Sequence, residues 1–333
     1  MRCPLAHVAP RFATRLNSFA SQSRAYWPEL SGKPTPLQMA ERAARVTDLT
    51  DLDLNYPDHV GENTRALGRQ IRDLGLSVSG FAMRYYSNPA FKLGAFTNPD
   101  RSVQREAIEL TKRGIDAARD ADCNLMTLWL GQDGFDYAFQ ADYARMWADE
   151  IEGIREVALH DPDCQISIEY KPNEPRSYSL LPDCATTLLA LRDIGLPNLG
   201  VTLDFAHVLY AEEQPAFVAS LVARYSQLLG VHLNDSYAKR DDGLMVGSVH
   251  IVQTIELLRQ VRADGFDGPI YFDTFPDLTG LDPVKECEAN IATVKSMLRT
   301  IERLDADNGL QPALAAQDAV ASQAIVRNAI YGY

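Results

Sequence analysis

The chain has 333 residues, 46% hydrophobic and 23% charged, with a formal net charge of −13. That composition supplies a large core, while the acidic balance repels phosphate backbones and argues against nucleic acid as a partner. No apolar run reaches the roughly 20 residues that cross a bilayer. The first twenty residues lack the apolar run and cleavage site of a signal peptide, and five cysteines without a C-x-x-C pair fit reduced thiols, so a cytoplasmic location is expected.

Short β-rich runs occur at 14–20, 49–54, 76–83, 123–130, 164–170, 199–205, 228–234 and 268–274. Segments of helical period lie at 62–74, 100–122, 140–160, 181–194, 215–228, 249–264 and 284–304. In 100–122, Val103, Ala107, Ile108, Leu110, Ile115 and Ala118 form one apolar stripe. Gly75, Gly195 and Gly265 stand where helices end. The strands read as nearly continuous apolar runs, as in a parallel sheet covered on both faces. The alternation predicts an α/β fold, a (β/α)8 TIM barrel over 12–306. The competing open doubly wound sheet would carry a glycine-rich phosphate turn after its first strand, and none is present.

Two stretches stand outside the alternation. The aromatic connection 84–100 is expected to lie over the barrel mouth. The tail 307–333 is Ala-rich and weakly helical, either disordered or a clasp between subunits. Its apolar residues, Leu310, Leu314, Val320, Ile325, Val326, Ile330, Tyr331 and Tyr333, have no evident home on a completed barrel. They therefore predict a homodimer or homotetramer.

The stretch ISIEYKPNEPR at 166–176 places Glu169 in an apolar run and Lys171 two residues later, on the same face of a strand. In a barrel of this type the site forms where the strands end. The ends of the last four strands carry Glu169, Asp204, His232 and Asp273. Singly, each has an ordinary explanation: Asp204 could cap a helix, His232 could be a core histidine, Asp273 could hold a backbone N–H. Together, three converging carboxylates repel one another unless a cation joins them. Three carboxylates and an imidazole suit Mn²⁺, Mg²⁺ or Co²⁺. His207, Asp241 and Asp242 form an outer layer that could hold a second cation or touch substrate. The other reading is that the two aspartates make a solvated turn with Gly243. Trp129 and Phe275 are candidate apolar walls of the pocket, or else ordinary core aromatics.

EYKPNEP is similar to the E-x-K-P-N-E-P segment of xylose isomerases. The D-x-x-H of Asp204 and His207 resembles their E-x-x-H. HLND…DDGLMVGS and the order of the strands resemble bacterial L-rhamnose isomerases. WLGQDGFDYAFQADY at 129–143 also looks like a pocket-lining family segment. The likeness to this isomerase and epimerase superfamily spans most of 12–304 and is specific over 166–274. It implies that Glu169, Asp204, His232 and Asp273 bind the ion that holds the substrate oxygens. It implies that His207 with Asp242, and Asp241 beside it, bind a second ion, Asp242 fitting the spacing slightly better. It also implies that Lys171 contacts the substrate O1. Two features depart from the pattern. No ring-opening histidine stands at the end of an early strand, His59 lying too far into its loop. Adjacent aspartates replace a D-x-D pair.

The activity expected is metal-dependent aldose–ketose isomerisation of an open-chain sugar or sugar acid. Lys171, Glu169 and Asp273 would carry it, Lys171 steadying charge on O1. A ketose 3-epimerase would use two glutamates across the substrate, where this chain has Asp273 in place of the second. A metal-dependent lyase or decarboxylase acting on a keto-sugar acid is the third alternative, with Lys171, Lys239 or Arg240 binding the acid.

Overall fold

The computed structural model describes residues 9–61 and 63–332. Eight parallel strands close a barrel: β1 Phe12–Arg15, β2 Asp51–Tyr56, β3 Ser77–Met83, β4 Leu125–Leu128, β5 Gln165–Glu169, β6 Leu199–Asp204, β7 Leu228–Leu233 and β8 Ile270–Phe272. Closure comes from β1 pairing with β8, Phe12 opposite Ile270. Between the sheet and the surrounding helices, Leu52, Phe81, Met126, Ile166, Val201, Val231 and Phe272 belong to one continuous core. The expected (β/α)8 architecture is therefore the one observed.

The first strand is displaced from its expected position at 14–20. Extended structure stops at Arg15, and Leu16–Ala20 winds into a 3₁₀ turn that buries Leu16, Ser18 and Phe19. Apolar residues there meet the core by a helical turn, which a short run does not distinguish from a strand. A further helix, Pro36–Ala43, starts on a reciprocal cap between Thr35 and Gln38. The expected helix 100–122 is Arg101–Asp120, begun by the Asp100 side chain. Gly195 caps Cys184–Ile194 at φ +71°, a conformation that favours glycine.

The segment 84–100 is anchored beside the mouth. Asp133 accepts from the Ala95 N–H (3.0 Å), the Thr97 N–H (2.7 Å) and the Thr97 hydroxyl (2.6 Å). Tyr85, Phe91 and Phe96 are buried beneath it. A two-stranded ribbon, Gly134–Phe135 with Tyr178–Ser179, stands next to it.

The tail is ordered. It forms helices Leu310–Ala315 and Ala319–Tyr331, the second capped by Asp318. Leu310 is buried, and Ile325, Val326 and Ile330 pack on the chain's own core. This corrects the expectation that these side chains lack a home: they lie along the face that Pro283–Ala306 leaves outward. Leu314, Val320 and Tyr331 stay exposed, and Tyr333 lies outside the described residues. Cys123, Cys164, Cys184 and Cys287 are buried free thiols, while Cys3 lies outside the described residues. Among the described residues, no helix is long and apolar enough to cross a membrane.

Candidate active site

Glu169 closes β5, Asp204 closes β6, His232 is the penultimate residue of β7, and Asp273 follows β8. Register aligns them: Asp204 is opposite His232, and His232 opposite Tyr271, two residues before Asp273. Side chains two apart on a strand share a face, so all four project into one space. One ligand atom from each of Glu169, Asp204, His232 and Asp273 lies within 4.8 Å of the others. Three of these residues are buried and Asp273 is partly so.

Such crowding of charge has a visible cost. Burial, then repulsion from Asp241, Asp273 and Glu169, pushes the Asp204 carboxyl up to about 7 despite His207. Burial also raises Asp273, against the pull of Arg15. Glu169 goes the other way. Its burial is outweighed by His232, whose Nδ1 lies 3.2 Å from Glu169 Oε1, and its pKa falls to about 2. His232 is correspondingly held protonated, to about 9, because Glu169 overrides its burial. The excess negative charge and the oxygen-rich donor set fit one hard divalent cation. An ion bound by Glu169, Asp204, His232 and Asp273 would take the place of the imidazolium proton.

Asn234 was not singled out from the sequence, although it lies two residues past His232 on the same face. Its Nδ2 donates to Asp204 Oδ2 (3.0 Å) and to the Asp273 carbonyl (3.2 Å), and its Oδ1 accepts from the Ala206 N–H (2.9 Å). It thus fixes two of the four positions at once. Asp204 also caps the helix Phe205–Tyr210, accepting from the His207 N–H at 3.0 Å, so capping and clustering coexist in one side chain. Arg15, also missed, reaches Asp273 at 3.5 Å and Asp277 at 3.7 Å. Asp53 is buried below the set, and burial lifts it to about 6. Its partner across the sheet is Gly80, where a Cβ would stand 2.6 Å from Asp53 Oδ2. Glycine is required there by close approach.

A second group lies alongside. His207 Nδ1 donates to the Tyr170 carbonyl (3.0 Å), and Nε2 faces Asp241 Oδ2 at 3.2 Å. Lys171 Nζ reaches the same oxygen at 3.1 Å and Glu174 Oε2 at 2.9 Å. Despite its burial, Asp241 is held well below the usual carboxylate range by His207 and Lys171. Asp242 instead accepts from the Tyr237 N–H (2.9 Å) and Arg240 Nε (2.8 Å). Neighbouring loop residues turn opposite ways here, and Asp241 rather than Asp242 is the one that meets His207. Lys171 remains charged because Asp241 and Glu174 outweigh its burial.

Lys171 Nζ stands 5.3 Å over the Trp129 ring, whose edge meets Tyr86 at 5.5 Å. Trp129 and Lys171 line one small recess with Glu169. Phe275 lies under Arg15, 4.6 Å away, and its N–H donates to the Gly243 carbonyl (2.9 Å), backing the loop that carries Asp241. His59 is buried, and its Nδ1 accepts from the Asn55 N–H at 2.9 Å. Burial, with Arg84 and Arg15 nearby, lowers it to about 3, so the ring is neutral and carries its proton on Nε2.

The family model described as xylose isomerase-like TIM barrel matches residues 42–307. The chain belongs to that family. It is 25% identical over 246 residues to the xylose isomerase of Thermus thermophilus, a match covering 71% of this chain and 64% of that enzyme. The chain thus spans under two thirds of that relative's length. Among solved structures, a D-tagatose 3-epimerase-like protein overlays at TM-score 0.70 with 16% identity, covering 88% of this chain and 98% of the other. An L-ribulose 3-epimerase overlays at 0.68 with 19% identity, covering 89% and 96%. At those identities the overlays establish the fold alone.

Proposed function

We propose that this member of the family is a divalent-cation-dependent aldose–ketose isomerase acting on an open-chain sugar, with Mn²⁺, Mg²⁺ or Co²⁺ at Glu169, Asp204, His232 and Asp273. Such an ion, when bound, polarises a carbonyl and lowers the barrier to moving hydrogen between C1 and C2.

The observation that carries the reading is Lys171. A buried ammonium, kept charged by Asp241 and Glu174, lies beside Glu169 in the same recess. A preorganised donor of this kind stabilises an oxygen that gains negative charge, here O1 of the substrate. Trp129 gives the C–H face of the sugar an apolar wall, and Phe275 holds the Asp241 loop in place. His207, oriented by the Tyr170 carbonyl, and Asp241 would hold a second cation or hydrogen-bond the substrate hydroxyls. Asn234 keeps Asp204 and the Asp273 backbone from shifting as substrate enters.

A ketose 3-epimerase is the second reading. It is favoured by two carboxylates in one set, the buried Glu169 and the partly buried Asp273, of which Asp273 holds its proton more readily than usual. It leaves Lys171 without a role. A lyase acting on a keto-sugar acid is a third, weaker outcome. The test is a panel of aldoses, ketoses and sugar acids incubated with enzyme and Mn²⁺, products resolved chromatographically. An aldose–ketose pair interconverting supports the isomerase. A C3 epimer or a released carbon dioxide as the only product replaces it.

A further inference from the structure

Among the described residues, Arg84 stands at the rim without an acidic partner. It follows Met83, the last residue of β3, and so leaves the barrel at the same end as Glu169 and Asp204. Its N–H is tied to the Tyr56 carbonyl at 2.9 Å. Its guanidinium lies 6.0 Å from the Tyr86 ring, and Tyr86 in turn meets Trp129. Its Nε is buried and has no hydrogen-bond partner among the described residues. Among the described residues, no carboxylate lies within ion-pair distance of it. Of the other cations near the mouth, Arg15 is engaged by Asp273 and Asp277, Lys171 by Asp241 and Glu174, and Arg240 by Asp242, while Lys239 is exposed to solvent. Yet the Arg84 charge is felt at Glu169, Tyr271 and His59. Its guanidinium therefore lies against the aromatic wall at Tyr86, at the barrel end that carries Glu169 and Asp204.

A buried N–H donor left unmet is a penalty that a bound acceptor relieves. A guanidinium offers parallel donors that match a planar carboxylate. One unpaired arginine balances one negative charge. A phosphate, with nearly two charges and tetrahedral oxygens, calls for more free cations or a glycine-rich nest than this mouth provides. We propose that the substrate is a sugar acid of the uronate class, with its carbonyl end at the carboxylate set and its terminal carboxylate held by Arg84. This rests on the isomerase reading for the carbonyl end, but the recognition itself needs no turnover.

The test is calorimetric titration of the Mn²⁺-loaded full chain with matched pairs: D-glucuronate and D-glucose, D-galacturonate and D-galactose, D-mannuronate and D-mannose. In at least one pair the uronate should bind roughly ten-fold tighter or better than its aldose. Arg84→Gln should erase that difference. Arg84→Lys, which keeps the cation and most of the packing, should retain part of it. Equal binding within every pair, or no uronate bound at all, overturns the proposal. So does a preference that survives Arg84→Gln, since the carboxylate would then sit on the ion or on Lys171. Tighter binding of D-glucose 6-phosphate than of any uronate overturns it in favour of a phosphosugar. Uronate binding without isomerisation leaves this inference standing and removes the isomerase reading. Isomerisation of neutral aldoses alone does the reverse.

Discussion

His232 Nδ1 lies 3.2 Å from Glu169 Oε1, and each shifts the other: the imidazole up to about 9, the carboxyl down to about 2. In the ion-free protein a proton on His232 does what a cation would do. Binding of Mn²⁺ must displace that proton. Affinity should therefore rise steadily from pH 6 towards pH 9, with protons released on binding. Calorimetry in two buffers of different ionisation enthalpy reads both quantities. A dissociation constant that does not change with pH would remove His232 from the ion's ligands.

Ligand removal should be seen in stability as well as in activity. Mn²⁺ at about a hundred times its dissociation constant should stabilise the native protein by about 2.7 kcal/mol, since the unfolded chain has no assembled site. Glu169→Gln and Asp204→Asn should each abolish that rise in Tm along with turnover. An unaltered Mn²⁺ response in both variants would show that the four residues are only a structural cluster.

Lys171→Met should leave Mn²⁺ binding intact and cost turnover by about 10²–10³-fold, the usual loss of one preorganised donor. Asp241→Asn should perturb turnover too, because it releases both His207 and Lys171. Asp242→Asn, turned to Arg240, should behave nearly as wild type. Steady-state kinetics on whichever sugar the panel identifies decides this. Equal effects at Asp241 and Asp242 would contradict the assignment.

Glu150, within the helix Tyr143–His160, is fully buried and neither carboxylate oxygen has a hydrogen-bond partner among the described residues. Burial, with Asp133 nearby, raises its pKa well above the ordinary 4.5. A carboxyl whose folded pKa is raised keeps its proton in the native state after the unfolded chain has lost it. Stability therefore falls as pH climbs from about the unfolded value towards the folded one. Glu150→Gln removes that slope. The variant should be more stable than wild type at pH 7, by roughly 1–3 kcal/mol, with the gap closing towards pH 4. Denaturant unfolding at several pH values measures it, and a variant less stable at pH 7 contradicts the account.

Truncation after Asp307 removes Leu310, Ile325, Val326 and Ile330 from the chain's own core and should lower Tm in the monomeric unit itself. Val320 is left 84% exposed, Leu314 46% and Tyr331 61%. We propose that these outer side chains meet a second subunit, as a homodimer or homotetramer. Light scattering of the truncated and full chains should differ in mass per particle. A full-length monomer at micromolar concentration would confine the tail's role to its own barrel.

The order of strands and helices, and which strand ends carry charge, were determined by the sequence alone. Nearly continuous apolar runs bounded by turns can be read locally, and so can the cost of placing Glu169 or Asp204 late in such a run. Where local signals were degenerate, reading failed. The run at 14–20 is apolar enough for either a strand or a 3₁₀ turn, and packing chose a strand that ends at Arg15. The tail's apolar residues match a subunit interface or the outer face of Pro283–Ala306 equally well, and the helix surface decided.

Only the tertiary structure settled which of Asp241 and Asp242 faces His207. That depends on which way a loop residue turns, with Gly243 at φ +57° beside the Phe275 ring. The same holds for Arg84, Asn234 and Glu150. Each is an ordinary polar residue in sequence. What distinguishes them is the partner they have or lack across the barrel, and such partners come from strands and helices tens of residues away. Hydrophobic period is a local property of the chain. Satisfaction of a buried charge is a property of the assembled neighbourhood, and it exists only once the barrel has closed.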